Sequence, residues 1–303
     1  MKKLLIVFFA ASIIIAACKS TTPALSDLDN PGSGPELTVV IPELFSPDPD
    51  NADDRMTISI TVTHSVPVKD WNIQVQPIRR QPTGAPAGAA PASGAPAQRQ
   101  GGQENRRRIF FEQNGDGSPP QAWQWNGRGT SGELVQSAMD YQFRLSVNDV
   151  FSNNTTYEGV ISVDVLVRHE GENLRMIVPS IVFPADSSDL SRVDEDDRRS
   201  NTRVLRLIAN ALNKYTGYRI TVEGHANPTT APNTRERTNE ETRELKPLSE
   251  ARAKAVVDYL VANNGLTRSR LSSVGIGGER TVAPYDDSEE NWKNRRVEFL
   301  LQR

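Results

Sequence analysis

The sequence predicts an α+β chain of two modules, an all-β sandwich followed by an α/β sandwich. Three observations predict it. The length of 303 residues is about twice that of an ordinary single domain. Short β-branched stretches recur between turn signals as far as about residue 167, and beyond about residue 174 strands alternate with helices that keep one apolar face. Hydrophobic residues make up 37% and charged residues 24%, which is enough apolar side chain for cores of ordinary size. A net charge of −3 argues against a nucleic-acid binder, because neutralising phosphates takes a marked basic excess.

Residues 1–17 read as a processing signal: Lys2 and Lys3 form a basic start, and Leu4 to Ala17 is almost wholly apolar but too short to span a bilayer comfortably. The run ends in Ile15-Ala16-Ala17-Cys18, which resembles the bacterial lipobox, whose cysteine is diacylated and becomes the mature N-terminus. Cys18 is the single cysteine of the chain, so it has no disulfide partner within it. The alternative is an ordinary cleaved signal with an incidental cysteine. Two or three acyl chains anchor stably, at roughly 0.8 kcal/mol per buried methylene. Lys19, which is not Asp, points to the outer membrane. Residues 18–35 then form a lipidated, Pro/Gly/Ser/Thr-rich tether with a reach of about 55 Å when fully extended.

Residues 36–167 carry the strand candidates Leu37–Ile41, Met56–Val62, Trp71–Val75, Ile109–Phe111, Tyr141–Leu145 and Val160–Val165, and no convincing helix. A Pro/Ala/Gly-rich tract at 81–103 interrupts them and cannot bury a core. It is followed by Arg106-Arg107-Arg108, either a solvated strand edge or a contact for anionic glycan or headgroups. Phe45-Ser46-Pro47-Asp48, Trp125-Asn126-Gly127-Arg128, and Gly132 with Tyr141 and Asp149 resemble the Ig-like domain of flagellar hook-capping and many bacterial surface proteins. That resemblance implies a spacer and a docking surface for envelope proteins. The carboxylates of Asp48, Asp50, Asp53 and Asp54 lack the regular spacing of an EF-hand loop and read as a solvated turn rather than a metal site.

In residues 170–303 a buried strand over Met176–Phe183 leads through a charged segment to a helix with Val204, Leu205, Ile208, Ala211, Leu212 and Tyr215 on one face, closed by Gly217. A strand Tyr218–Val222, a long polar loop, a helix from Ser249 closed by Gly265, and strands Leu271–Val274 and Arg296–Leu301 complete a β-α-β-α-β-β order. Gly275-Ile276-Gly277-Gly278 reads as a turn between strands, because no helix with Lys-Ser/Thr follows.

Four ordered motifs resemble the OmpA-like, peptidoglycan-associating domain: Ile181 to Leu190 (IVFPADSSDL), Val222-Glu223-Gly224-His225, Leu248-Ser249-Glu250-Ala251-Arg252-Ala253 and Asn294-Arg295-Arg296-Val297-Glu298. The resemblance implies non-covalent binding of the peptidoglycan stem peptide in the periplasm. An Asp after the Gly-His and the Arg of the helix motif would grip the zwitterionic end of its diamino acid. Arg252 is present; with Ser249 as N-cap it would stand in the first helical turn, where the helix dipole disfavours a cation and a bound carboxylate would favour it. An ordinary surface arginine paired with a nearby glutamate is the other reading. The acid is replaced by Asn227, and a neutral bond there is worth roughly 1 kcal/mol against about 2 for a charge-assisted one. Asp186, Arg295 and Arg296, from the opening and closing motifs, complete the expected ligand-binding set. The loop from Pro228 to Pro247 is about ten residues longer than the common pattern. It reads either as a mixed-charge solvated helix or as a loop that folds one of its glutamates back as the missing charge.

His64, His169 and His225 fall in separate segments without metal-ligand spacing, and no nucleophile elbow is present, so neither catalysis nor a cofactor is expected. The chain reads as a lipid-anchored tether between outer membrane and peptidoglycan. The alternative is an envelope protein–protein interaction module whose OmpA-like domain no longer binds peptidoglycan.

Overall fold

The computed structural model describes residues 28–78, 109–288 and 290–303. The leader at 1–17, Cys18, the tract at 81–103 and Arg106 to Arg108 lie outside the described residues.

The first module is built from β1 (Glu36–Val40), β2 (Met56–Thr63), β3 (Val68–Pro77), β4 (Phe111–Asp116), β5 (Ala122–Trp125), β6 (Asp140–Asp149) and β7 (Asn154–Ser162). They form a three-stranded sheet in the order β1-β2-β5 and a four-stranded sheet in the order β4-β3-β6-β7, all antiparallel. Alternate side chains of β2, β3 and β6 point inward. Ile58, Ile60, Ile73, Trp123, Trp125, Phe143, Leu145 and Ile161 fill the space between the sheets, each contributing about 1.5–3 kcal/mol of burial. β5 is absent from the strands expected from sequence, because four residues are too few to display alternation and Trp125 was counted with a turn. Both of its tryptophans face the core, stacked at 6.2 Å between centroids. Asp149 at the end of β6 is fully buried and accepts from His64 Nε2 at 2.9 Å and from the backbone N–H groups of Phe151 and Asn153. Burial alone would raise its pKa; those bonds win and hold it at about 2. The aspartates at 48–54 accept bonds from their own turn, Asp48 from the Asp50 N–H and Asp54 from the Asp48 N–H.

The second module contains β8 (Val167–Glu170), β9 (Asn173–Val178), α1 (Glu195–Asn213), β10 (Arg219–His225), α2 (Arg235–Glu240), a π-helical turn (Glu241–Leu245), α3 (Lys246–Asn264), β11 (Leu271–Gly277) and β12 (Val297–Gln302). Its sheet runs β11-β10-β12-β9-β8, with β10 and β11 parallel and the other pairs antiparallel. The order is therefore β-β-α-β-α-β-β, one strand more than expected. The extra strand, β8, is a polar hairpin partner of β9 that starts at Val167, three residues before the position read as the module's start. Ile181, Val182 and Phe183, expected to continue the first strand, are buried without pairing. Asp194 caps α1 by accepting from the Asp197 N–H, two helical turns before the apolar face becomes visible in sequence.

α1 and α3 cover one face of the sheet over a core of Met176, Val178, Leu205, Ile208, Val222, Val256, Leu260 and Phe299. The helices come very close: a Cβ at Gly224 would collide with the Ser249 carbonyl, and one at Gly275 with the Lys246 carbonyl. Gly275 and Gly277 lie within β11 and its end rather than in a turn, which corrects the sequence reading; Gly275 makes room for the α3 backbone and Gly277 (φ 61°) for the Glu241 carboxylate. The modules also exchange side chains. Ala138 (φ 55°) is part of the second core, and Trp292 packs against the first. Ser137 Oγ accepts from the Leu166 N–H at 2.9 Å, and Arg203 on α1 pairs with Asp140 at 2.5 Å.

Candidate functional site

Where the end of β10, the Phe183–Asp186 turn, the first half of α3 and the segment before β12 converge, they enclose an open cavity of about 600 Å³. Ile78, Met139 and Asp140 of the first module close one side of it.

Arg252 projects from α3 into this cavity. Its Nε donates to the Ser187 carbonyl at 3.0 Å and Nη2 to the Pro184 carbonyl at 3.1 Å, while the guanidinium lies 5.2 Å from the Phe183 ring centre. It has no carboxylate partner among the described residues. Burial, then the charge of Arg295, lowers its pKa to about 10, against the pull of Asp186. Arg295 also lines the cavity, is lowered by burial, and likewise lacks an ion pair among the described residues. Asp186 stands exposed at the rim with a left-handed backbone, φ 50°. Arg252, Arg295 and Asp186 thus converge on one cavity, which Arg296, Asp140, Glu240 and Glu244 also line.

Ser249 is not an N-cap. The chain is helical from Arg235 through Asn264, and Ser249 Oγ instead donates to the Lys246 carbonyl and accepts from the Gly277 N–H. Arg252 is therefore well inside a helix, and its placement cannot be argued from a helix start. The long loop read between Pro228 and Pro247 is largely this helical extension. Glu240 is buried there and accepts from the N–H and hydroxyl of both Thr229 and Thr230. Burial pushes its pKa up, and those four bonds hold it below the ordinary value. Glu241 accepts from the Gly278 N–H, and its burial raises its pKa.

Asn227 also lines the cavity, but its amide is committed. Nδ2 donates to the Pro228 and Tyr285 carbonyls at 2.8 and 3.1 Å, and Oδ1 accepts from Asn294 Nδ2 at 2.8 Å. The direction is set by Asn294, whose Oδ1 takes the Val282 and Ala283 N–H groups, so its nitrogen must donate. The amide expected to receive a ligand ammonium instead ties the closing motif to the end of β10.

Arg296 is 5% exposed and committed as well: Nε donates to Glu298 at 2.7 Å and Nη2 to the Arg280 carbonyl. It belongs to a cluster on the sheet face opposite α3, where Arg175 pairs with both Glu223 and Glu298 at 2.7 Å and Arg280 pairs with Glu223 at 3.2 Å. His225 is buried in that cluster. Burial, then the charges of Arg296 and Arg280, lowers it to about 3, so it is neutral near pH 7. Glu223, His225 and Glu298 lie close enough to share a cation, but three guanidinium groups already balance the two carboxylates. Sequence reasoning missed this cluster. Its one local signal is the period-two charge of Glu223/His225 and Arg296/Glu298.

The model of the OmpA family matches residues 182–295. The chain is similar to the peptidoglycan-associated lipoprotein of Pseudomonas aeruginosa, 34% identical over 150 residues, covering 49% of this chain and 72% of that protein. It is similar also to the peptidoglycan-binding protein ArfA of Mycobacterium bovis, 31% identical over 121 residues, which are 40% of this chain and only 32% of that protein. Among solved structures, the periplasmic domain of Helicobacter pylori MotB aligns at a TM-score of 0.35 and 22% identity, over 45% of this chain and 77% of that one. None of these matches indicates a catalytic family.

Proposed function

Because the chain belongs to the OmpA family, we propose that it binds the peptidoglycan stem peptide non-covalently and, through acyl chains on Cys18, tethers the outer membrane to the wall with its second module in the periplasm. The relatives named for peptidoglycan association support the substrate class. The observation that carries the reading is the pair Arg252 and Arg295, two part-buried guanidinium groups without a carboxylate partner among the described residues, on one open cavity. Part-buried cations held near each other are costly unless an anion arrives, and a peptide carboxylate meets Arg252 with a charge-assisted bond. The first module is a spacer and a docking surface for envelope proteins. The test is co-sedimentation of the full chain with purified sacculi. Wild type pellets and Arg252→Ala stays in solution; equal pelleting of the two rejects the reading.

One observation favours a second reading, a protein–protein interaction module that has left the glycan peptide: Asn227 carries no charge, and its Oδ1 already accepts from Asn294. On that reading the wild-type chain does not pellet with sacculi at all.

A further inference from the structure

We propose that a second cavity, at the seam between the modules, is a binding site for a phosphoryl group, with Arg296 and Arg168 as its principal donors. The cavity measures about 250 Å³ and lies between the Gln136-Ser137 segment of the first module and the sheet face away from α3. The register identifies that face: Ile177 lines the cavity and stands opposite Glu298, while its neighbours Met176 and Val178 point into the core beneath α1 and α3. Arg296 borders both this cavity and the larger one, but its Nε and Nη2 reach Glu298 and the Arg280 carbonyl, so its guanidinium lies on the Glu298 face. Its third terminal nitrogen, Nη1, is buried and has no hydrogen-bond partner among the described residues. Buried donors of folded proteins are nearly all satisfied. A buried donor beside a cavity calls for an acceptor from outside the chain.

The charge around the cavity calls for the same kind of ligand. Arg168 and Lys293 line it together with Arg296, and no carboxylate does. Arg168 stands directly opposite Arg175 in the β8–β9 ladder, a like-charge pair that costs stability. Arg175 is answered by Glu170, Glu223 and Glu298, Arg280 by Glu223, Arg296 by Glu298 and Lys293 by Glu290, whereas Arg168 has no ion pair among the described residues. Five cations (Arg168, Arg175, Arg280, Arg296, Lys293) thus meet four carboxylates (Glu170, Glu223, Glu290, Glu298), and the surplus charge sits on the cavity wall at Arg168. Ser137 adds a neutral donor, because its Oγ accepts the Leu166 N–H and keeps its own hydrogen to give. Donors therefore come from three segments: the first module, β8 and the approach to β12. A carboxylate offers two oxygens in one plane, whereas a tetrahedral phosphoryl group offers three in different directions, which suits donors spread in this way. Arg252 and Arg295 are no part of this site, since they line the other cavity.

The experiment is titration calorimetry of the full chain, at constant ionic strength in chloride, with inorganic phosphate, with the lipid-headgroup diester glycerophosphoglycerol and with acetate. It is repeated with Arg168→Gln, which alters an exposed side chain and leaves the fold intact, and with Arg252→Ala. Wild type is expected to bind a phosphoryl probe at least about tenfold more tightly than acetate. Arg168→Gln is expected to weaken that binding about fivefold, the size of one charge-assisted contact, and Arg252→Ala to bind the probe as wild type does. Tighter binding of inorganic phosphate assigns the site to the free ion and tighter binding of the diester assigns it to a headgroup; either result supports the site. The proposal is overturned if neither phosphoryl probe binds, if acetate binds as tightly, or if Arg168→Gln binds as wild type does. Loss of binding in Arg252→Ala also overturns it, by placing the anion in the larger cavity.

Discussion

Two groups of arginines in the second module show the same side chain under opposite conditions. On the sheet face away from α3, the largely buried Arg175 and the buried Arg296 pair with Glu223 and Glu298. Along the cavity, Arg252 and Arg295 face each other's charge and backbone carbonyls. A buried guanidinium with its carboxylate completes a structure; one held only by carbonyls keeps a charge that the proposed function assigns to a ligand. The contrast separates residues that hold the fold from residues available to a ligand, although both groups border the same motifs in sequence.

The largest effect lies on the paired side. Arg175→Ala leaves Glu223 and Glu298 buried with less compensation and is expected to lower unfolding free energy by about 3–5 kcal/mol, measured by urea denaturation. The same substitution at position 252 removes one of two mutually repelling cations but loses the bonds to the Ser187 and Pro184 carbonyls, so it is expected to cost less, about 1–2 kcal/mol; a loss as large as that of Arg175→Ala would erase the contrast.

His225 sharpens the paired side further. It is neutral in the fold with its pKa lowered to about 3, whereas the unfolded chain takes up a proton near 6.5. The unfolded state therefore binds more protons across that window, and stability is present above pH 6.5 and lost as pH falls toward 3. Between pH 7 and pH 5 the loss from this residue is about 2 kcal/mol, and His225→Gln should flatten that slope in denaturation curves at the two pH values.

On the unpaired side, Arg252→Ala is expected to weaken sacculus binding at least about tenfold, the equivalent of about 1.4 kcal/mol. The smallest effect belongs to Asn227→Asp. It gives up two donated bonds and sets a charge against the Pro228 and Tyr285 carbonyls, so it should destabilise by about 1 kcal/mol and bring no gain in pelleting. Tighter pelleting would show that the network around Asn294 yields to the ligand.

How much of this was legible in sequence follows from how local each feature is. β2 and β6 show in the alternation of Met56–Thr63 and Asp140–Asp149, and the apolar face of α1 shows from Val204 onward. The first turns of α1 did not show, because Glu195-Asp196-Asp197-Arg198-Arg199 reads as solvated charge although Asp197 is buried. The helical extension before α3 was masked the same way, its charged run hiding the buried Glu240 and Glu241. Arg252 was identified by its motif, but its setting was not, since its partners Pro184 and Ser187 lie 68 and 65 residues away. Asn227 was weighed as a ligand contact because a one-letter substitution shows the lost charge and not the Asn294 amide that claims the oxygen left behind.

On the tether reading proposed above, the exchange of side chains between the modules has a mechanical consequence. With Ala138 in one core, Trp292 against the other, and Arg203 clasped to Asp140, the described modules have no slack between them. A pull applied at the wall end reaches the sandwich as shear across a packed seam, not as the straightening of a hinge.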